Sequence, residues 1–300
     1  MTGAGWIAVD WGSSHLRAWK MEGARAVADV SSDRGGAHLT PGDFEPALLA
    51  LIAPWLRSAA TLVVACGMVG AREGWAEIPY RPVPCAPLAQ VPQRVSARDP
   101  RLDMRIVGGL CQASPADILR GEETQIAGFL ALNPGFDGVV CLPGTHTKWA
   151  HLSAGEVVSF QTFMTGEIFG LLSAQSVLRH TIAPDGWDED AFVSALDDSL
   201  SRPERLAARV FTLRAEAMLN ALPPATARAR LSGLLIGAEL AAARPYWLGQ
   251  PVAVIGAPAV AAPYVAALTR QGAAPLQAQA AAMTCAGLAA ARALITDYAP

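Results

Sequence analysis

Short apolar runs of strand length alternate along this chain with longer stretches at helical spacing, the pattern of an α/β protein. Trp6–Val9, Leu16–Met21 and Arg25–Val30 read as strands, the first two joined by a tight Gly-Ser-Ser turn. A helix is expected over Phe44–Arg57, and Thr61–Cys66 is an apolar run suited to a buried strand. Gly67–Val91 is a long loop rich in Gly and Pro, of a length more often functional than idle. Met104–Val107 reads as a strand and Asp117–Leu132 has helical spacing.

The opening pattern then recurs. Gly138–Leu142, Lys148–Leu152 and Val157–Phe163 read as strands, with a Gly-Thr-His-Thr turn between the first two, and a helix follows over Glu167–His180. Helical segments fill the region to about Arg244, Val252–Ile255 is a short strand, and Pro258–Gln271 and Ala278–Leu294 are expected to be helical. The halves share an order, three strands and then a helix, which argues for two units of similar architecture. The chain length is ample for a core in each.

Composition narrows the function classes. The apolar fraction of 52% is inflated by alanine, and nowhere do about 18 uncharged apolar residues run together, so no membrane span is expected. The N-terminus has neither a basic stretch nor an extended apolar core, which predicts a cytoplasmic protein. With 23 basic against 26 acidic residues there is no positive field for nucleic acid or a membrane surface. The five cysteines, Cys66, Cys85, Cys111, Cys141 and Cys285, are scattered and never at CxxC spacing, which fits neither a disulfide framework nor a zinc knuckle.

An anionic ligand must therefore be met by a few local groups, and two polar hairpins offer them. Asp-Trp-Gly-Ser-Ser ends a buried strand with the carboxylate of Asp10, then supplies Gly12 for close backbone approach and the hydroxyls of Ser13 and Ser14. Asp10 could hold a hydrated magnesium ion, because that cation takes oxygen ligands and keeps several waters. The second hairpin repeats the design with Gly144, Thr145, Thr147 and Lys148. Either alone is equally a plain turn. Together, at matching places in two similar halves, they are what a nucleotide clamped between lobes requires. His146 reads as a structural hydrogen-bonding residue, since no carboxylate is evident to orient it.

Between the hairpins, Arg120-Gly-Glu-Glu-Thr-Gln125 carries two adjacent carboxylates at the start of an apolar helical segment. They suit the helix dipole, and one could also accept the proton of an attacking hydroxyl. Successive helical residues point about 100° apart, so both cannot face one site, and Glu122 is the expected base. In the long loop, Gly70, Arg72 and Trp75 combine flexibility, a cation and an aromatic platform that suit a sugar-like acid. Thr165 and Glu167 flank Gly166, where a strand breaks into a helix whose first turn could bind polar ligand groups. Gly3 and Gly5 mimic a dinucleotide fingerprint but precede the first strand, and no GxxxxGK[ST] occurs.

The motifs Asp-Trp-Gly-Ser-Ser-His-Leu-Arg, Gly-Met-Val-Gly-Ala-Arg-Glu-Gly-Trp, Arg-Gly-Glu-Glu-Thr-Gln-Ile, Leu-Pro-Gly-Thr-His-Thr-Lys-Trp, Thr-Phe-Met-Thr-Gly-Glu and Ser-Gly-Leu-Leu-Ile-Gly-Ala-Glu-Leu, in this order, resemble the 2-dehydro-3-deoxygalactonokinase family from Ile7 to about Leu288. The resemblance implies an α/β fold of two ribonuclease H-like, actin-like ATPase lobes, with mixed sheets flanked by helices and an interlobe cleft. It implies MgATP-dependent phosphorylation of the 6-hydroxyl of 2-dehydro-3-deoxy-D-galactonate in galactonate breakdown. It places Asp10, Gly12, Ser13 and Ser14 in the first phosphate motif, Gly144, Thr145 and Lys148 in the second, and an adenosine motif at Gly256 and Ala257. Glu122 stands where related sugar kinases have an aspartate.

The expected division is a lobe over 1–120 with the sugar-acid loop and a nucleotide-binding lobe over 121–300, the last helix packing back on the first. A kinase for another 2-keto-3-deoxy acid, such as the gluconate epimer, and a nucleotide switch without sugar chemistry stay open as alternatives. So does a homodimer.

Overall fold

The computed structural model of the protein describes residues 5–297. These fall into two compact units. The first comprises the chain up to Asp137, Leu152–Phe160 and the segment from Ala278 on, and the second Gly138–His151 with Gln161–Gln277.

The first unit opens with strands β1 (Trp6–Trp11), β2 (Leu16–Glu22) and β3 (Arg25–Ser32) in an antiparallel meander. Helix α1 (Phe44–Ile52) and strand β4 (Thr61–Gly67) follow, then β5 (Arg81–Pro82), β6 (Gln93–Val95) and β7 (Leu102–Ile106). The sheet order is β3-β2-β1-β4-β7-β6, with β1, β4 and β7 parallel. Strand β1 is apolar on both faces because both are covered. Ile7, Val9 and Trp11 pack with Phe44 and Leu48 of α1, while Trp6 and Ala8 pack with Leu288 and Ala291 of the last helix, Ala280–Asp297.

The helix expected over Asp117–Leu132 starts later. Leu110–Ala113 (β8) and Ala116–Leu119 (β9) form a hairpin that joins β5 in a small sheet, and α2 spans only Glu122–Leu132. Gly121, at φ +104°, is the break, a backbone conformation that side-chain-bearing residues rarely adopt. The Ala-Asp-Ile-Leu of β9 has no strand signature of its own and is decided by its pairing with β8.

In the rest of the chain come β10 (Gly138–Leu142), β11 (Thr147–Ser153), β12 (Glu156–Phe163) and α3 (Thr165–Ala174). Next are α4 (Glu189–Ser201), α5 (Leu206–Leu219), α6 (Pro224–Ala242) and α7 (Arg244–Trp247). Strand β13 (Val252–Gly256), α8 (Pro258–Arg270), β14 (Leu276–Gln279) and α9, the last helix, complete it. The second sheet has the order β12-β11-β10-β13-β14, and the core of the second unit gathers Trp149, Phe192, Leu196, Ile236, Trp247 and Leu268.

The division differs from the expected break at 120/121, because α2 belongs with the first unit. It crosses α9 at backbone contact. A Cβ on Gly128 would lie 1.9 Å from the Met283 carbonyl oxygen, and one on Gly287 would lie 1.9 Å from that of Thr124. Among the described residues, no helix is long and apolar enough to cross a membrane.

Candidate active site

In the first unit, β1 delivers Asp10 to the end of the strand and the chain turns back through Gly12–His15, closed by the Gly12 amide donating to the His15 carbonyl at 2.9 Å. A second segment braces this turn from behind. The amides of Gly36 and Ala37 donate to the carbonyls of Gly12 and Ser13 at 2.9 and 3.0 Å. Gly35 approaches so closely that its Cβ would sit 2.2 Å from the Ser13 oxygen. Gly12 itself is different. Its φ is not left-handed, and a Cβ there would meet only the His15 oxygen at 3.4 Å, an ordinary contact. The fold does not demand glycine at position 12, and the turn leaves space beside it that a ligand could use.

Asp10 stands opposite Arg17 on β2 and Cys66 on β4, whose thiol points at Oδ1 from 3.9 Å. Burial raises the Asp10 pKa, Arg17 pulls it down, and the charge of Glu122 raises it again. Asp10 and Glu122 are thus electrostatic neighbours within one unit.

Glu122 is half-buried in the first turn of α2, and its Oε2 accepts the Arg120 amide at 3.0 Å. Glu123 is fully buried; its carboxylate accepts the Gly121 amide at 2.6 Å and the Thr124 hydroxyl at 2.9 Å. Burial, and then the charge of Glu122, push its pKa up to about 7. The two acids therefore have different surroundings, one at the helix end near Asp10 and one locked in the interior.

No group of three or more metal-ligating side chains occurs among the described residues. Asp10 offers one hard oxygen ligand beside the Gly12–His15 turn. That donor set fits magnesium, whose remaining ligands would be water and phosphate oxygens.

The second hairpin, in the second unit, repeats this construction. Gly144 and Thr145 are exposed, and a Cβ on Gly144 would find its nearest neighbour, the His146 oxygen, at 4.0 Å. The start of α3 braces the turn from behind. A Cβ on Gly166 would lie 2.2 Å from the Gly144 oxygen, and the Glu167 amide donates to the Thr145 carbonyl at 2.9 Å. The carboxylate that His146 lacks in sequence is Glu167, whose Oε2 lies 2.6 Å from the ring Nε2. Lys148 is 6% exposed and its ammonium donates to the His146 carbonyl at 3.3 Å.

Beneath the hairpin lies a buried network that the motif reading passed over. Glu239 of α6 accepts the Trp149 indole N–H and the Tyr264 hydroxyl, each at 2.8 Å, and Thr147 Oγ1 is 2.8 Å from the Tyr264 oxygen. The sequence does carry a trace of it, one acid inside the apolar run from Leu231 to Ala243. Gly256 ends β13 buried, and Ala257 caps α8, exposed.

The long loop places its three candidates differently. Gly70 is buried, and a Cβ there would fall 2.8 Å from a guanidinium nitrogen of Arg120 and 2.9 Å from Ile106, so packing alone accounts for glycine. Arg72 extends into solvent with its nearest acid, Glu77, 3.9 Å away. Trp75 is half-buried against the first core and donates to the Ser96 carbonyl at 3.2 Å. Sequence reasoning missed the guanidinium of Arg120, which lies over the Tyr80 ring at 4.2 Å and donates to the Ile78 carbonyl at 2.7 Å.

The family model for 2-keto-3-deoxy-galactonokinase matches residues 10–291, a span that takes in both hairpins, Glu122 and Glu239. The chain belongs to that family. It is therefore a phosphotransferase, and the nucleotide-switch alternative falls away. A protein of Rhizobium meliloti (strain 1021) named probable 2-dehydro-3-deoxygalactonokinase DgoK1 is 38% identical over 255 residues, 81% of this chain and 82% of its own. The 2-dehydro-3-deoxygalactonokinase of Escherichia coli (strain K12) is 37% identical over 245 residues, with 81% and 82% covered.

The crystal structure of a Sinorhizobium meliloti protein, described as a candidate 2-dehydro-3-deoxygalactonokinase, superposes with a TM-score of 0.89 at 33% identity over 98% of both chains. At 12% identity and a TM-score of 0.51, the activator of the 2-hydroxyisocaproyl-CoA dehydratase from Clostridium difficile shares the fold, over 99% of both chains. What the two share is the α/β fold of mixed sheets flanked by helices.

Proposed function

We propose that this family member transfers the γ-phosphoryl group of ATP to the 6-hydroxyl of 2-dehydro-3-deoxy-D-galactonate, giving the 6-phosphate and ADP in galactonate breakdown. The family match across residues 10–291 carries the reading. Phosphoryl transfer asks a protein mainly for positioning and charge stabilisation, plus one base for the attacking hydroxyl. The glycine hairpins, whose open Cβ positions leave room for a ligand, supply the positioning.

In this reading Glu122 accepts the proton of the acceptor hydroxyl as its oxygen bonds to phosphorus and the bond to ADP breaks. Gly12, Ser13 and Ser14 contact one part of the phosphate chain, and Gly144, Thr145 and Lys148 another. Gly256 and Ala257 take the adenosine end. Asp10 would hold magnesium, which when bound neutralises phosphate charge. Arg72 and Trp75 from the long loop, with Thr165 and Glu167, are the proposed contacts to the sugar acid, while Gly70, expected among them, is packed in the interior against Arg120 and Ile106. The five free cysteines fit a reducing cytoplasmic setting.

A coupled ADP-release assay with MgATP tests this across 2-dehydro-3-deoxygalactonate, its gluconate epimer and simple sugars. Turnover fastest with the galactonate compound and a 6-phosphate product by NMR are expected. Absence of turnover with every keto-deoxy acid would refute the proposal, and a preference for the epimer would replace its substrate.

A further inference from the structure

Glu239 is 3% exposed at the centre of four elements of the second unit: its own α6, β11 through Trp149 and Thr147, α8 through Tyr264, and the first turn of α3 through Thr165. A buried carboxylate is costly unless its lone pairs are filled, and here every direction holds a donor. The indole N–H can only donate. Tyr264 has one proton, directed to Glu239 Oε2 at 2.8 Å, so the Thr147 hydroxyl at 2.8 Å from the Tyr264 oxygen cannot receive that proton and must point its own inward. The carboxylate therefore fixes the polarity of the whole network, and with it the rotamer of the residue that leads from the hairpin into β11.

The two ends of this network matter. Thr147 is the residue between His146 and Lys148 of the second hairpin, where β11 begins. Tyr264 lies on α8, whose cap is Ala257, immediately after Gly256. We propose that Glu239 is a positioning residue for the nucleotide, holding the Gly144–Lys148 hairpin and the Gly256–Ala257 turn at a fixed spacing through Tyr264 and Thr147. This rests on the reading above that the hairpin takes phosphate and the turn takes adenosine. Burial raises the Glu239 pKa above the ordinary carboxylate value, and the surrounding hydroxyl and indole donors bring it only part of the way back.

Tyr264→Phe and Glu239→Gln in the full chain test it. The first removes the bridging oxygen and keeps the ring in the core. The second keeps the volume, but its amide N–H₂ faces the Tyr264 oxygen, so the polarity toward Thr147 reverses. Each variant is expected to raise the KM for ATP about tenfold, the scale of one buried hydrogen bond, and Tyr264→Phe, which leaves the Glu239 contact to Thr165 in place, should do so with the KM for the sugar acid unchanged. The double variant should be no worse than the more impaired single one. Gly144→Val serves as the control on the underlying reading, since the fold has room for it. If Gly144→Val leaves the ATP KM unchanged, the phosphate reading of the hairpin fails. If Gly144→Val raises it but Tyr264→Phe and Glu239→Gln do not, or if Tyr264→Phe raises both KM values in parallel, the positioning role is overturned and the phosphate reading stands.

Discussion

Glu123 makes the stability of this protein depend on pH in a direction opposite to that of a salt-bridged acid. Its pKa is about 7 in the folded chain against an ordinary 4.5, because the carboxyl is wholly buried beside Glu122. Between those values the unfolded chain has released a proton that the folded chain keeps, so stability falls as pH rises through this window. At about 1.4 kcal/mol per pH unit, the span from 4.5 to about 7 amounts to about 3 kcal/mol lost by pH 8. Glu123→Gln removes that loss. Its amide oxygen can accept the Gly121 N–H and its amide N–H₂ can donate to the Thr124 hydroxyl, so both bonds of the carboxylate have a counterpart.

Thermal melts of the parent and Glu123→Gln at pH 5 and pH 8 read the effect. Near-equal Tm values are expected at pH 5, and a gain of roughly 6 °C for the variant at pH 8. A Tm difference that does not change with pH would refute the argument, because it would mean that Glu123 titrates alike in both states. A loss at both pH values would assign its importance to the two hydrogen bonds instead.

Glu122→Gln should lower kcat by about 10² to 10⁴ with ATP binding intact, and if Glu123→Gln is the inactive variant in steady-state assays, Glu122 is not the base. Gly12→Val should raise the ATP KM at least about tenfold while the melting curve barely moves, since the nearest protein atom to its Cβ is at 3.4 Å; unchanged ATP kinetics would remove phosphate from that turn. Gly287→Ala should destabilise by roughly 1–3 kcal/mol in denaturant titrations, despite alanine's better helix propensity, because its Cβ would sit 1.9 Å from the Thr124 carbonyl oxygen; a stabilised variant would show that α2 and α9 do not cross so closely.

The sequence by itself determined what local chemistry can determine. The β1–β2–β3 meander, the turn at Gly12–His15 and the turn at Gly144–Thr147 are legible because apolar alternation and turn residues act over a few positions, whereas the strand-to-helix break expected at Gly166 falls at Met164, with Gly166 already inside α3. The ordered motifs also carried the family, which the match over residues 10–291 shows.

Tertiary structure decided the rest. Glu122 and Glu123 are adjacent and chemically alike, and only the packing around α2 buries one and leaves the other near Asp10. His146 finds Glu167 21 residues away, and Thr147 finds Tyr264 117 residues away, separations at which no periodicity in the chain points to a partner. The β8–β9 hairpin likewise exists by pairing, from residues whose own preferences favour a helix. A carboxylate's role follows from its solvent, its donors and its neighbouring charges, and folding alone supplies those.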